Sequence, residues 1–279
     1  MPDARTQTSS DLQAVRIEGL EFVEFAAPDP AQLVGFLEQL GFRATARHRS
    51  KDVTLYRQGG INFIVNATPG SFAQSYAQRR GASICALALR VSDANTAYQT
   101  LLARGAWEAG TTAGVMELNI PALECIGGTQ IYLIDRYDKG LSIYDIDFKA
   151  LPDCETAADN LQRVSGLTLS VCAGRTREWS DYFCQLFGFS ATQPGLICSA
   201  DGSVLLKFEE LESGDADLAS EGFGSIELGA SDLTRTRDSL TAAGLQLRPA
   251  GKQTAVPGSE RYTVAHPQFD SSVNFLIGR

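Results

Sequence analysis

The residues with the types and spacing to do chemistry lie in four short strand-like runs in the second half of this 279-residue chain. In GLTLSV, Leu167, Leu169 and Val171 alternate with Gly166, Thr168 and Ser170, and in SVLLKFEE, Val204, Leu206 and Phe208 alternate with Lys207 and Glu209. In GSIELG, Ile226 and Leu228 alternate with Ser225 and Glu227, and in SSVNFLIGR, Val273, Phe275 and Ile277 leave Asn274 between them. Successive side chains of a strand point to opposite faces. The apolar members therefore form a helix-packed face, and Thr168, Ser170, Lys207, Glu209, Ser225, Glu227 and Asn274 share a concave one. Such a face suits a small organic acid, with Lys207, the one evident cation, meeting a carboxylate and the hydroxyls orienting it. It also suits acid–base chemistry, should burial move Glu209 or Glu227 toward neutrality. The third reading is a solvated or dimer-covered sheet face on which Lys207 offsets its two glutamates.

Other groups offer less. The two histidines, His48 and His266, lie in different halves and read as surface or hydrogen-bonded structural residues, His266 in a turn before the last strand. The six cysteines form no CxxC pair and mostly sit in apolar runs, as buried reduced thiols do. Gly127 and Gly128 precede no helix and make no phosphate loop. Arg79 and Arg80 form a short charged face, Trp107 and Trp179 read as core anchors, and neither histidine stands in a recognisable nucleophile context. A net charge of −9 argues against nucleic acid and anionic membrane as partners. With no membrane-length apolar run and no apolar core in MPDARTQTSSDLQAV, a cytoplasmic location is expected.

The elements that must position these residues repeat. DPAQLVGFLEQLGF, DANTAYQTLLARGA, REWSDYFCQLFGF and DLTRTRDSLTAAGL each carry apolar residues at helical spacing and stop at a glycine: Gly41, Gly105, Gly188 and Gly244. Asp29, Asp93 and Asp232 stand where a carboxylate accepts the open amides of a first turn, and the third copy lacks such a residue. A strand-like run precedes each (LEFVEFA, ICALALRV, LTLSVCA and SIELGA). Further strand-like runs follow, among them VTLYRQ, INFIVN, TQIYLID and SIYDIDF. The unit is βαβββ, present four times, and it must pair to bury its sheet. The fold class is α+β: a tail over 1–16, a domain of two modules over 17–150, a polar linker over 151–163, and a second, shortened pair over 164–279.

GLEFVEFAAPDP, HRSKDVTLYRQGGINFIVN, MELNIPALECIGGTQIYLIDRY and SIYDIDF resemble the amino-terminal domain of 4-hydroxyphenylpyruvate dioxygenases, members of the vicinal oxygen chelate superfamily built of tandem βαβββ modules. REWSDYFCQLFGF and ADGSVLLKFEE are similar, over shorter stretches, to that family's catalytic domain. The resemblance implies a facial triad of two histidines and a glutamate holding Fe(II). It places Gly166 and Ser225 at the histidine positions and, by strand parity, Asn274 at the carboxylate. In the first half, Glu21, Ala86 and Asp145 are equivalent by internal repeat, with Glu21 and Asp145 read as structural hydrogen-bonding groups. The expectation is a divergent relative without the iron site and without a cofactor, binding or cleaving a small organic acid. The alternatives are an active aromatic 2-oxo acid dioxygenase and a non-enzymatic structural or regulatory homodimer.

Overall fold

The computed structural model describes residues 15–110, 117–138, 140–152, 158–212, 218–250, 260–266 and 273–279. The first half runs β1 (Gly19–Ala26), α1 (Pro30–Gln39), β2 (Arg43–His48), β3 (Val53–Gln58), β4 (Ile61–Asn66), α2 (Phe72–Arg80) and β5 (Ser83–Arg90). It continues through α3 (Ala94–Ala103), β6 (Trp107–Glu108), β7 (Ala122–Glu124), β8 (Gln130–Ile134), α4 (Ile143–Asp147) and β9 (Phe148–Ala150). The second half runs β10 (Leu161–Val171), α5 (Thr176–Phe187), β11 (Ser190–Gln193), β12 (Leu196–Cys198) and β13 (Leu205–Glu210). The last module is β14 (Gly222–Ala230), α6 (Leu233–Ala242), β15 (Gln246–Pro249), β16 (Tyr262–Ala265) and β17 (Asn274–Gly278). Four βαβββ modules can be counted directly: β1 to β4, β5 to β8, β10 to β13 and β14 to β17.

The modules pair as their exposed sheet faces require. One sheet has the order β6-β7-β8-β5-β1-β4-β3-β2-β9, the other β11-β12-β13-β10-β14-β17-β16-β15. In each, two modules meet through their first strands, antiparallel β1 with β5 and β10 with β14. The caps follow the sequence. Asp29 accepts from Ala31 N at 3.0 Å, Asp93 from Thr96 N at 2.6 Å and Asp232 from Arg235 N at 3.0 Å. The helix of the third module, α5, starts without a side-chain cap and ends on Gly188 in the left-handed region, φ 68°.

The helix-facing sides of the two sheets share one core. Phe25 of β1 stacks on Phe275 of β17 at 5.7 Å between ring centroids, and Phe36 of α1 meets Phe275 edge-on at 4.9 Å. Gln58, fully buried, links the halves through its amide: it donates to Leu40 O at 3.0 Å and accepts from Leu161 N at 3.0 Å. At a second crossing Gly127 (φ 62°) lies against the backbone of Glu221, where a Cβ would come within 1.9 Å of the Glu221 carbonyl oxygen.

Several expectations change. SIYDIDF is a short helix followed by a strand, because Ser142 and Asp145 form a reciprocal capping box. Phe72–Arg80 is a helix that the sequence reading did not include, capped by Ser71, whose Oγ accepts from Gln74 N at 3.1 Å. The strand β10 begins at Leu161, so the last three residues of the expected linker belong to it, Leu161 and Arg163 pairing with β14. Val15, assigned to the tail, is buried in the core, while residues 1–14 and Cys154 lie outside the described residues. Trp107 is not a core anchor. It sits on the two-residue edge strand β6, 56% exposed, and stacks on Tyr182. Trp179 is buried, its Nε1 donating to Glu221 at 3.1 Å.

The Gly127 crossing can be tested against its neighbour. Gly127 and Gly128 (φ 72°) both occupy the left-handed region, but a Cβ on Gly128 would meet nothing within 4 Å. Gly128→Ala should cost only the backbone strain, about 1–3 kcal/mol. Gly127→Ala should cost about 1–3 kcal/mol more, because the backbone of the other half must move. Urea midpoints of the two variants provide the measurement, and equal losses would mean that the halves do not approach at Gly127.

Candidate functional site

The register brings most of the predicted polar face together. Thr168 pairs with Lys207 on one side and Ser225 on the other, and Ser225 pairs with Asn274, so four residues form one row across β13, β10, β14 and β17. Ser170 pairs with Glu209, and Gly166 with Glu227. Their intervening neighbours Leu167, Leu169, Ile226 and Phe275 are buried on the helix side, as alternation requires. Thr168, Ser225 and Glu227 are themselves buried, whereas Asn274 is exposed with a long contact to the Gly224 carbonyl. Ser170 is less available than its position suggests: its Oγ packs over Gly224, 2.3 Å from where a Cβ would stand.

The charges differ from the sequence reading in one respect. Lys207 is half-buried and ion-paired with Glu209, and it is not the sole cation of the face. Arg261, immediately before β16, is 4% exposed and lies over Gly278, with its Nε 2.5 Å from Glu227 Oε1. The contact is ionic and off the hydrogen-bond line. Among the described residues neither terminal guanidinium nitrogen has a hydrogen-bond partner. Arg163 also lies on this face, its side chain beside Gly229 and Ser165. Burial pushes Glu227 above the usual carboxylate range, opposed by Arg261, Arg163 and Lys207 in that order. Sequence reasoning missed Arg261 because it precedes a strand and belongs to no alternating run. A lone arginine beside SERYTVA carries no signal for the face that it enters.

The first half holds a cavity of about 480 Å³ on the corresponding face of its own sheet. Phe22 and Glu24 of β1, Ile64 and Asn66 of β4, and Gln130 and Tyr132 of β8 point into it by the same alternation. Glu24 is 4% exposed and accepts from Asn66 Nδ2 at 2.8 Å. Burial raises its pKa, with Asn66, Lys51 and Cys85 acting the other way. His48 is on the wall, its Nδ1 accepting from Lys51 N at 3.2 Å, and burial lowers its pKa. Glu21 and Asp145 do not join this group. Glu21 pairs with Arg90 at 2.6 Å, and Asp145 caps α4. His266 directly follows β16, not a turn, with its ring edge-on to Phe36. The five described cysteines are free of disulfides, and burial raises the Cys125 thiol to about 12.

Comparison with known proteins fits this geometry. Residues 13–149 match the family described as hydroxyphenylpyruvate dioxygenase, HPPD, N-terminal. The 4-hydroxyphenylpyruvate dioxygenase of Pseudomonas sp. strain P.J. 874 is 37% identical over 258 residues, covering 85% of this chain and 72% of the relative. The chain belongs to the 4-hydroxyphenylpyruvate dioxygenase family. Within that family's reach it is also 39% identical over 176 residues to a 3-dehydroshikimate dehydratase of Pseudomonas aeruginosa, covering 62% of this chain and 28% of that one. A solved structure of a xylose isomerase-like TIM barrel/4-hydroxyphenylpyruvate dioxygenase fusion protein superposes with a TM-score of 0.82 at 26% identity. It covers 99% of this chain, which spans about half of the fusion protein (51%). The two curved mixed sheets are thus a vicinal-oxygen-chelate fold, and no described helix is long and apolar enough to cross a membrane.

Glu24 has a consequence for stability. A carboxyl whose folded pKa lies above its unfolded value holds its proton more tightly when folded. Its stabilising contribution is therefore present below the ordinary value of 4.5 and is lost as pH rises toward the raised one. Glu24→Gln keeps an acceptor for Asn66 and removes the ionisation. At neutral pH its thermal midpoint should equal or exceed that of wild type, and the decline of stability between acid and neutral pH should flatten. A variant markedly less stable at neutral pH, with an unchanged pH slope, would contradict this account.

Proposed function

We propose that this chain is a divergent 4-hydroxyphenylpyruvate dioxygenase relative that handles a small organic acid on the concave face of its second half without a facial-triad iron. The observation that carries the reading is the buried Arg261 guanidinium with two terminal nitrogens unpaired among the described residues. Buried guanidinium N–H groups without acceptors are costly, and an acceptor that arrives with a ligand accounts for them. The planar fork of arginine matches a carboxylate bidentately. Lys207 supplies a second cation, and the hydroxyls of Thr168 and Ser225 lie in the same row to orient the body of the acid.

Iron does not fit the donors at the positions assigned to it. Gly166 has no side chain, Ser225 offers a neutral hydroxyl and Asn274 an amide, so imidazole and carboxylate are both missing from the set. Glu227, the carboxylate paired across the strands with Gly166, is engaged with Arg261. The relatives supply two acids for a test: 4-hydroxyphenylpyruvate and 3-dehydroshikimate. A lyase acting on such an acid is the catalytic form of the same reading.

Two measurements test it. Calorimetry with metal-free protein should detect binding of one of the two acids, and Lys207→Met should weaken it by about 1.5–3 kcal/mol, the range for a charge-assisted hydrogen bond. Arg261→Met should weaken it at least as much. Affinity unchanged in both variants would remove the site from this face. With added Fe(II) and ascorbate, 4-hydroxyphenylpyruvate should yield no homogentisate above an enzyme-free control. Product there would establish the dioxygenase instead.

A further inference from the structure

The first-half cavity has a chemistry opposite to that of the second-half face. Its walls include five aromatic side chains, Phe22, Phe72, Tyr132, Tyr144 and Phe148. Its charged lining is mostly acidic: Glu24, Glu117 and Asp147 against the single cation Lys51, which is ion-paired with Glu117 at 2.7 Å. His48 adds no positive charge at neutral pH, because burial holds its ring below the ordinary imidazole value. The floor is built from side chains more than nine-tenths buried. Glu24 and Gln130 are each 4% exposed, and the Gln130 side-chain oxygen accepts from Tyr132 Oη at 3.3 Å. Both flank the small Ala86 in one cross-strand row. Among the described residues Glu24 has a neutral amide partner, Asn66, and no ion pair.

We propose that this cavity binds a small organic cation, an ammonium group carried on an apolar or aromatic body. The carboxylate of Glu24 at the floor receives the charged head, and the aromatic rings take the body while their faces attract the cation. The net negative lining disfavours an organic acid here, and a volume of about 480 Å³ suits a molecule of roughly drug-fragment size. Glu117 and Asp147 are held in the lining by Lys51 and by the Leu118 backbone amide, 3.3 Å from Asp147. They add a field that favours a cation over a neutral analogue.

The test uses three probes with one ring and different heads: phenethylammonium, 2-phenylethanol and phenylacetate, titrated calorimetrically into the full chain. Phenethylammonium should bind about tenfold or more tighter than 2-phenylethanol, the factor that separates charge-assisted from neutral hydrogen bonds. Phenylacetate should not displace it, even if the acid binds the second-half face. Glu24→Gln should erase the preference for the ammonium. Lys51→Gln, a change at the exposed rim, should tighten ammonium binding several-fold by removing the opposing charge. The wild-type comparison and the rim variant stand even if Glu24→Gln fails to fold. Failure of phenethylammonium to bind, equal affinity for the alcohol, competition by phenylacetate, or weaker binding in Lys51→Gln would each overturn the proposal.

Discussion

Alternation along the four central strands is the constraint on which the rest of this structure depends. In β1, β5, β10 and β14 every second side chain must enter a core shared by helices and by the opposite half, so the intervening ones are forced together on a concave face. Antiparallel pairing of first strands then doubles each concavity, because β1 meets β5 and β10 meets β14 in the middle of a continuous sheet. A one-residue slip in either pair would bury Glu24 or Glu227 among the helices and expose Phe25 or Ile226. The apolar face therefore holds the register, and the register assembles the polar rows.

The two concave faces are built from the same module and carry contrasting groups. In the second half, arginine and lysine surround one buried glutamate. In the first, aromatic rings and carboxylates surround a cavity with a single paired lysine at its rim. Both glutamates are raised by burial, yet Glu227 has a guanidinium beside it and Glu24 an amide. The same sheet geometry thus presents arginine and lysine on one face and carboxylates among aromatic rings on the other, the difference resting on which side chains alternate inward.

The halves are not independent beads on a linker. Phe25, Phe36 and Phe275 merge their cores, Gln58 bonds across, and Gly127 lets two backbones come closer than any side chain permits. Arg80 of α2 also donates to the carbonyls of Ala219 and Ser220. A ligand that tightened either sheet would act on a core that both share.

The four helices, their glycine stops and aspartate caps, the βαβββ count and the inward rows were legible in the chain, because each rests on local periodicity and short-range hydrogen bonding. So were the family and the shared face of Thr168, Ser225 and Lys207, since alternation is a property of a strand by itself, whereas their alignment in one row came from the register between strands. What the chain could not disclose was set by long-range packing. The guanidinium of Arg261 reaches Glu227 only because β16 pairs with β17 and β17 with β14, across contacts that no local pattern encodes. Trp107 looked like a core residue until a two-residue edge strand left it outside. SIYDIDF alternates like a strand but begins with a serine and an aspartate that close a helical turn on each other. The cavity around Glu24 existed in no single segment. It formed where six strands, α4 and the turn into α2 enclosed a space, and burial there raised the pKa of a residue that in sequence was one glutamate among many.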